Sequence, residues 1–484
     1  MKRRLLALLM LPPRASGGCV ANLSSLLLAG SRILARDAAG FGATCLREVR
    51  VRGTFHWLWF LPILVAVSPA FAAEIKVADP ESARQAVRDA KPGDVVVLAS
   101  GEWEDVDLRL DGDGSETMPI TIRAETPGKT ILTGASRVRI GGSHLIVSGL
   151  WLKNLSGAGA DLLEFRIDSK RRASHCRVTE CAFTEGPDFS ATERENRWVG
   201  LYGTANRIDR CTLLGKKNRG ATLVVWLGEH DTGGHRIVSN HFGDRPRLGK
   251  NGGETIRVGD SKTSMVMADC LIEGNYFFRC DGETECISNK SCGNRYRGNW
   301  FIETQGTLTL RHGNDCLVEG NFFFGQARPQ TGGIRVIGER HRVVGNFLSG
   351  LEGDGFRSAI CLVNGIPDSP ENGYLRVIDA RIENNVVLDC KESILVGYND
   401  VDDATLPPKG TIFTGNRVVA RSGRFAVRVE TGGGDTRWSE NRIEGAIEGM
   451  EEEAGVRSGQ ADTIETPPLP DPALVGTSWS GKDP

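Results

Sequence analysis

The sequence predicts an all-β protein, a single-domain right-handed parallel β-helix with a short N-terminal capping helix. A motif recurs in which an asparagine follows a short apolar strand and a phenylalanine or leucine stands two positions later. The asparagines are Asn275, Asn299, Asn321 and Asn346, at intervals of 24, 22 and 25 residues. Periods of about 20 to 50 residues are typical of solenoids and propellers, and a propeller blade would need roughly 40 residues. The shorter interval therefore favours one β-helix coil per repeat.

Weaker copies of the repeat extend the predicted coils in both directions. They occupy residues 175–183, 206–213, 235–242, 381–387, 411–418 and 437–443. The strands are short, β-branched or aromatic, and broken by Gly or Asn, and no segment beyond residue 95 has a sustained helical period of apolar residues. The β-helix domain is therefore predicted to span residues 73–448.

Three cysteines repeat with the same spacing. Cys270, Cys292 and Cys316 are 22 and 24 residues apart, which predicts an interior column of buried thiols, because free cysteine is among the most buried residue types. Disulfides and a metal cluster are less favoured alternatives, since the sequence contains no Cys-x-x-Cys pair.

The amino-terminal residues 1–72 form a predicted leader with a signal peptide. Arg47, Arg50 and Arg52 precede the apolar run 57–67, and residues 70–72 form a small-x-small cleavage site. Removal of the leader would take away nine basic and two acidic residues and leave a net charge of about −9, which argues against nonspecific nucleic-acid binding. We therefore expect a secreted or periplasmic protein with no integral membrane span once the signal is removed.

Two further segments complete the predicted organisation. Residues 82–90 form a short amphipathic helix that would cap the first coil, as solenoids require, and residues 95–98 form the strand after it. From residue 449 to 484 the chain is acidic and rich in proline, which indicates a tail that either follows the surface or is mobile.

The predicted site centres on two glutamates and an arginine. Because side chains alternate along a strand, Glu283 and Glu285 point the same way, and so do Thr307 and Arg311. Residues 283 and 307 are 24 positions apart, one coil, so the two sets are expected on adjacent rungs. One coil earlier, Asn251 can bring an amide oxygen beside the glutamates. Two carboxylates and an amide oxygen are hard ligands that suit Ca2+.

Lys290 and Arg311 give this predicted site its chemistry. A lysine and a guanidinium beside a carboxylate-bound cation are the arrangement expected for β-elimination from a uronic acid, in which a base removes the C5 proton. Neighbouring positive charges favour the deprotonated lysine that acts as the base, and Arg311 would stabilise or protonate the departing O4. Taken singly, each residue is more often a surface charge or a loop lysine, so only their combination indicates a site.

The ordered motifs of this region resemble polysaccharide lyase family six, the family of alginate lyases and chondroitinase B. The motifs are Asn251-Gly-Gly-Glu-Thr-Ile-Arg257-Val-Gly, Glu283-x-Glu285-x4-Lys290, Gly306-x-Leu-x-Leu-Arg311-His312-Gly313 and Gly332-Gly-Ile-Arg335-Val-Ile-Gly338. The resemblance runs from about residue 75 to residue 398 and into 475–476. It implies a parallel β-helix, Ca2+ held by Asn251, Glu283 and Glu285, a base at Lys290 and an acid at Arg311.

Four further residues are candidate substrate contacts. Arg335 lies 24 residues after Arg311 and would grip a substrate carboxylate from the same groove, or form a structural ion pair. Arg357 resembles a family position that contacts sugar. His312 would orient the acid or pack beneath the groove, and Tyr398 would stack on a sugar ring or on the protein.

The sequence therefore predicts a polysaccharide lyase that cleaves an acidic, uronic-acid-containing polysaccharide, with alginate favoured over dermatan sulfate. Alginate lyase is the commoner activity in the family, and the mature chain has no obvious additional arginine cluster for sulfate groups. A non-catalytic carbohydrate-binding or adhesion β-helix is the alternative of another class. A β-helix glycoside hydrolase is weaker, because it needs neither Lys290 nor Arg311. The sequence leaves the oligomeric state open.

Overall fold

The protein is described here by a computed structural model that covers residues 72–156, 161–184, 195–399, 401–421, 423–450, 456–458 and 464–480. Except for Ala72, the predicted leader lies outside these described residues. The described chain winds into three parallel sheets of 14 strands each, and successive coils stack so that each strand pairs with its counterpart in the next coil. The predicted parallel β-helix is confirmed.

The three sheets are named A, B and C in the order in which most coils enter them. Sheet A consists of Glu74–Val77, Val95–Leu98, Ile120–Ala124, Leu145–Ser148, Arg177–Thr179, Arg207–Asp209, Arg236–Val238, Leu271–Glu273, Arg295–Arg297, Leu317–Glu319, Arg342–Val344, Arg381–Glu383, Thr411–Thr414 and Thr436–Ser439. Sheet B consists of Gly101–Glu104, Thr130–Thr133, Leu150–Lys153, Ala182–Thr184, Thr212–Leu214, His241–Arg245, Tyr276–Cys280, Trp300–Ile302, Phe322–Phe324, Phe347–Ser349, Val386–Leu388, Arg417–Val419, Asn441–Glu444 and Val456–Ser458. Sheet C consists of Asp107–Asp113, Arg137–Ser143, Leu163–Glu164, Ala173–Ser174, Val199–Leu201, Leu223–Val225, Ile256–Gly259, Glu285–Lys290, Thr307–His312, Ile334–Val336, Ile360–Val363, Glu392–Tyr398, Phe425–Val429 and Ala446–Glu448.

A capping helix, Pro80–Asp89, covers the first coil where the sequence predicted one. Asp79 caps its N-terminus by accepting a hydrogen bond from the backbone N–H of Ser82 at 2.9 Å, which satisfies one of the free N–H groups of the first turn. Ala83, Ala86 and Val87 form its buried face. Four short 3-10 turns lie in the described loops: Ser261–Thr263, Gly355–Arg357, Gly433–Asp435 and Pro472–Leu474.

The repeating asparagines form a buried hydrogen-bonded ladder at the turn between sheets A and B. The Asn299 side-chain amide donates to the Ile272 carbonyl and to Asn321 Oδ1, each at 2.9 Å, and Asn299 Oδ1 accepts the Asn275 backbone N–H at 3.1 Å. Buried polar groups are stable only when they are paired, and this geometry pairs them through identical bonds from rung to rung. The ladder runs through Asn240, Asn275, Asn299, Asn321, Asn346, Asn385, Asn416 and Asn441.

The cysteines are buried, as the sequence predicted. All ten cysteines within the described residues are free thiols in the interior. Cys270, Cys292 and Cys316 have exposed fractions of 0%, 6% and 1%. Burial raises the pKa of Cys270 and of Cys316 to about 12, so these thiols stay protonated and act as small apolar side chains.

The C-terminal residues 464–480 run back along the outside of sheet B. Strand Val456–Ser458 extends the stack beyond the predicted end at residue 448 by pairing with Asn441–Glu444. Val475 and Ile464 then pack on aromatic side chains of sheet B, among them Phe324. Ser478 donates its backbone N–H to Glu180 at 2.7 Å. The described part of the tail therefore follows the surface.

Candidate active site

A groove of about 780 Å³ lies on the outer face of sheet C and contains seven of the nine residues that the sequence singled out. Its lining includes Asn251, Glu283, Glu285, Lys290, Arg311, His312 and Arg357, together with Glu195, Arg197, Arg219, Gly220, Ala221, Arg247, Gly249, Lys250, Gly252, Glu254, Arg257, Ser261, Gly282, Thr284 and Asn372. Eight of these residues are Arg or Lys and four are Glu. A groove with this excess of positive charge suits an anionic ligand.

Glu283 sits against the preceding coil. Its Oε2 accepts hydrogen bonds from the backbone N–H groups of Gly252 and Gly253, at 3.0 and 3.3 Å. The two coils come so close that a Cβ on Gly253 would lie 2.4 Å from the backbone of Gly282. Glycine is therefore needed at position 253 for the backbone N–H groups to reach the carboxylate.

Three carboxylates share this end of the groove. Burial raises the pKa of Glu283 to about 8, and the neighbouring charges of Glu254 and Glu285 add to the rise. Glu254, which the sequence analysis did not select, is 6% exposed, and its Oε2 has no hydrogen-bond partner among the described residues. The sequence signal that could have identified Glu254 is its position directly after Asn251-Gly-Gly. Like charges held together in a buried place destabilise each other unless a cation or protons neutralise them.

These side chains fit a hard divalent cation. Within the described segments, no three Asp, Glu, His or Cys side chains form a complete metal site by themselves. The predicted set differs because it uses the amide oxygen of Asn251, which is exposed beside the groove. Two carboxylates and one amide supply oxygen ligands of the kind that a hard divalent cation prefers.

Lys290 and Arg311 come from adjacent rungs, although not in the expected register. Glu285, rather than Glu283, pairs with Thr307, and Lys290 pairs with His312 after a bulge at Asn289/Lys290. The expected spacing of 24 residues is wrong here because this coil advances by 22 residues. The Lys290 ammonium makes no hydrogen bond or ion pair with any described residue, and it faces the groove. Its amine is therefore open to a ligand.

Arg311 is held from two sides. Its Nη1 donates to the Gly373 carbonyl at 2.6 Å and its Nη2 to the Asn372 carbonyl at 2.9 Å. Its Nε lies 3.6 Å from Glu285 Oε1, and the guanidinium carbon lies 4.3 Å from the centre of the Tyr374 ring. Only 17% of the Arg311 side chain is exposed, so the charge is fixed at the wall of the groove.

His312 is buried at 2% exposure beneath the groove. Its Nδ1 lies 2.9 Å from Ser264 Oγ, and its Nε2 has no hydrogen-bond partner within the described chain. Burial and the positive charges of Arg311 and Lys290 lower the pKa of His312 to about 3. The imidazole is therefore neutral at any pH near 7.

Arg357 reaches the groove, whereas Arg335 and Tyr398 do not line it. Arg357 Nε donates to the Gln305 carbonyl at 3.2 Å. Arg335 pairs with Thr309 rather than standing below Arg311, and it is 4% exposed. Tyr398 lies three rungs further along and lines a separate cavity. Arg335 therefore does not face the groove as its spacing predicted, and the substrate contacts expected of Arg335 and Tyr398 stay predictions.

Five cations of the groove were missed by the sequence analysis: Arg197, Arg219, Arg247, Lys250 and Arg257. The chain therefore has an additional cluster of basic side chains, contrary to the expectation, because these five converge from three successive coils. Arg197 also pairs with Asp161 at 2.5 Å, and Arg219 with Glu195 at 3.7 Å. The sequence signal that could have identified two of them is the interval of 22 residues between Arg197 and Arg219, which corresponds to one coil.

Known proteins resemble this chain over most of its length. The family model described as chondroitinase B matches residues 77–415. The solved structure of the PL6 family alginate lyase AlyGC is 37% identical, with a TM-score of 0.77, over 85% of this chain and 58% of that chain. This chain therefore spans little more than half of AlyGC. No curated protein sequence matched significantly.

Two further solved structures resemble this chain over nearly the whole of their own length. One is a mannuronic acid specific polysaccharide lyase of family 6 from human gut microbiota, 28% identical, with a TM-score of 0.73, over 84% of this chain and 96% of that chain. The other is the PL6 family polysaccharide lyase Pedsa3628 from Pseudopedobacter saltans, 26% identical, with a TM-score of 0.71, over 84% of this chain and 99% of that chain.

Proposed function

This chain belongs to the chondroitinase B family, polysaccharide lyase family six, and we propose on that premise that it cleaves alginate by β-elimination. One observation carries the proposal: Lys290, Arg311 and the pair Glu283 and Glu285 line a single groove. A groove with eight basic side chains against four glutamates supports a polymer that carries a carboxylate on every sugar.

The residues proposed to hold a divalent cation are Asn251, Glu283 and Glu285, with Glu254 beside them. We propose Ca2+, because all the available ligand atoms are carboxylate and amide oxygens, the hard ligands that this ion prefers. When bound, the cation would neutralise the substrate carboxylate and so make the neighbouring C5–H acidic.

Lys290 is the proposed base. Its amine would take the C5 proton, the electrons of the C5–H bond would form the C4=C5 double bond, and the bond from C4 to the glycosidic oxygen would break. Because no described residue engages the Lys290 ammonium, the side chain is free to turn towards the sugar.

Arg311 is the proposed partner of the departing oxygen. Its guanidinium is fixed by the carbonyls of Gly373 and Asn372, so its positive charge would be in place before negative charge develops on that oxygen. Charge placed in advance in this way stabilises a transition state without reorganisation. Arg311 would stabilise the leaving oxygen or relay a proton to it. His312 and Arg357 are proposed to contact the substrate from the floor and the side of the groove.

Incubation with alginate tests the proposal. The purified protein should generate ultraviolet absorbance from the C4=C5 double bond, and chelation followed by addition of CaCl2 should remove and restore it. A hydrolase would give saturated ends without this absorbance, and a non-catalytic binding or adhesion protein would bind the polymer without shortening it. Either result would overturn the proposal.

Alginate is preferred over dermatan sulfate on the strength of two similar proteins. AlyGC, 37% identical, is described as an alginate lyase, and the human gut lyase, 28% identical, is described as mannuronic acid specific. The additional arginines of the groove keep dermatan sulfate as the second candidate, because sulfate groups are bound by guanidinium groups. Parallel assays with polymannuronate, polyguluronate and dermatan sulfate distinguish these substrates.

We also propose that the protein is exported, because the signal-like pattern of residues 47–72 suits an enzyme that meets a polymer outside the cytoplasm. None of the described helices has the length and apolar character to cross a bilayer. Sequencing the N-terminus of the protein recovered from the periplasm or medium tests this; a start near Ala73 is expected.

A further inference from the structure

The second coil after that of Arg311 contains an unusually long connection. Successive asparagines of the ladder are 22 to 25 residues apart from Asn275 to Asn346, but Asn385 follows Asn346 after 39 residues. Much of the added length lies between strands Ile360–Val363 and Arg381–Glu383. We call residues 364–380 the closing loop.

The closing loop is packed onto the outer face of sheet C. Tyr374 and Leu375 cover Ile337, Cys361, Val363 and Leu395, whose exposed fractions are 0% or 1%. Cys361 and Leu395 occupy paired outward positions on successive rungs, and both come after the rung of Arg311. The face that would continue the groove in this direction is therefore occupied by the protein itself.

A wall of three side chains stands where the loop meets the groove. The guanidinium carbon of Arg335 lies 5.2 Å from the centre of the Phe356 ring and 5.1 Å from that of Tyr374, and Arg335 is 4% exposed. Tyr374 also contacts Arg311. Arginine between two aromatic rings is held firmly. Tyr374, Arg335 and Phe356 are called the wall below.

A separate, smaller cavity of about 350 Å³ lies beyond the wall and contains Tyr398. Arg357 lines both cavities. Its Nε is tied to the Gln305 carbonyl at 3.2 Å and its Nη2 to Thr284 Oγ1 at 3.3 Å. Arg357 therefore stands between the two cavities beside Phe356.

The other end of the groove is basic and, as far as the described residues define it, open. Arg197, Arg219, Arg247, Lys250 and Arg257 all belong to coils that precede the Lys290 rung. Arg197 also lines a further cavity of about 420 Å³ on the rungs before it. A long polyanion can therefore extend from Lys290 towards the N-terminal coils, but not past the wall.

We propose that the wall closes the groove at its Arg311 end, so that this enzyme binds the end of a polymer chain and releases short products from it. The proposal rests on the lyase activity proposed above. Arg335 then acts as a structural part of a specificity-determining wall rather than as a ligand of the substrate carboxylate.

The test compares polymer length with the number of double bonds formed. Wild-type protein is incubated with high-molecular-mass alginate in CaCl2, and double bonds are followed by ultraviolet absorbance while polymer size is followed by viscosity and size-exclusion chromatography. The expected result is short oligosaccharides from the earliest times and a viscosity that falls only in proportion to double bonds. An early collapse of viscosity at low conversion would overturn the proposal. Folded protein that forms no double bonds would instead refute the lyase activity.

Variants of the wall give a second, independent result. Phe356→Ala and the double variant Phe356→Ala/Tyr374→Ala should lower viscosity several-fold more per double bond than wild type, because internal stretches of polymer can then cross the site. Tyr374→Phe keeps the ring and should retain the wild-type product profile. If Phe356→Ala is folded by circular dichroism and keeps the wild-type relation between viscosity and double bonds, the wall does not set the mode of cleavage.

Discussion

Arg311 Nε lies 3.6 Å from Glu285 Oε1, within a site where only 17% of the arginine and 12% of the glutamate side chain are exposed. The proposed acid and a proposed cation ligand therefore share one contact. Charges this close and this buried interact strongly. A cation bound at Glu285 and the guanidinium of Arg311 would therefore repel each other.

Arg311→Ala is predicted to abolish activity while strengthening calcium binding. Removal of the guanidinium takes away the positive charge that competes for Glu285, and a gain of roughly tenfold in affinity is expected for about 1.4 kcal/mol of relieved repulsion. Isothermal titration calorimetry measures the affinity. Arg340→Ala, which removes an exposed arginine paired with Asp315, controls for net charge. Unchanged or weaker calcium binding in Arg311→Ala would contradict the shared-contact interpretation.

Lys290→Ala is predicted to lose about 10³-fold in kcat with little change in thermal stability. Loss of a general base costs this order of magnitude, and the Lys290 ammonium makes no hydrogen bond or ion pair within the described residues that folding would miss. Product absorbance and a thermal melt provide the two measurements. Lys262→Ala, at a nearby exposed lysine, should remain fully active. Full activity in Lys290→Ala would remove Lys290 from the role of base.

Glu283→Gln is predicted to remove the stabilisation that calcium gives to the protein. A ligand that binds only the folded state raises the Tm as its concentration increases, and Glu283 is a proposed ligand held by Gly252 and Gly253. Differential scanning calorimetry with and without CaCl2 should give a calcium-dependent Tm in wild type and in the exposed variant Glu116→Gln, but not in Glu283→Gln. An equal calcium shift in all three proteins would refute this cation site.

The buried histidines predict a loss of stability in mild acid. Burial lowers the pKa of His341 from its usual 6.5 to about 4, as it does for His235 and His241. The unfolded chain therefore binds more protons than the folded one between about pH 4 and 6.5, so the free energy of unfolding decreases as the pH falls through that window. Each histidine contributes about 1 kcal/mol between pH 7 and 5.5.

His341→Asn tests this explanation with a conservative change. His341 Nδ1 accepts the Cys316 backbone N–H at 3.1 Å, and Asn294 Oδ1 accepts the Cys270 N–H at 3.0 Å in the equivalent place. Asparagine can therefore keep the bond without titrating. Urea denaturation at pH 7 and 5.5 should give a smaller difference in the variant. An identical difference would mean that His341 does not titrate as its burial implies.

The sequence alone predicted the coil and most of the site, because both depend on local repetition. The asparagine ladder requires the same residue at each turn, and Glu283, Glu285, Lys290 and Arg311 lie within two coils of nearly constant length. Arg335 does not stand below Arg311 because strand Ile334–Val336 pairs with strand Thr307–His312 at an interval of 26 residues, from Thr309 to Arg335, rather than 24. Tyr398 lies three rungs beyond Arg311, past the rungs that the closing loop covers. The closing loop could have been predicted from the sequence, because the interval from Asn346 to Asn385 is 39 residues and exceeds that of the preceding coils. The convergence of cations from separate coils, by contrast, depends on side-chain direction, which spacing does not determine.

The C-terminal tail has a consequence for how the molecule unfolds. A stack of repeats interacts only with nearest neighbours and can fray from either end. Here the bond from Ser478 to Glu180 joins residues 298 positions apart, and Trp479 donates to the Glu180 carbonyl at 2.9 Å. The tail that follows the final coil is therefore held by a coil in the N-terminal half, so its docking links two parts of the stack that are not nearest neighbours.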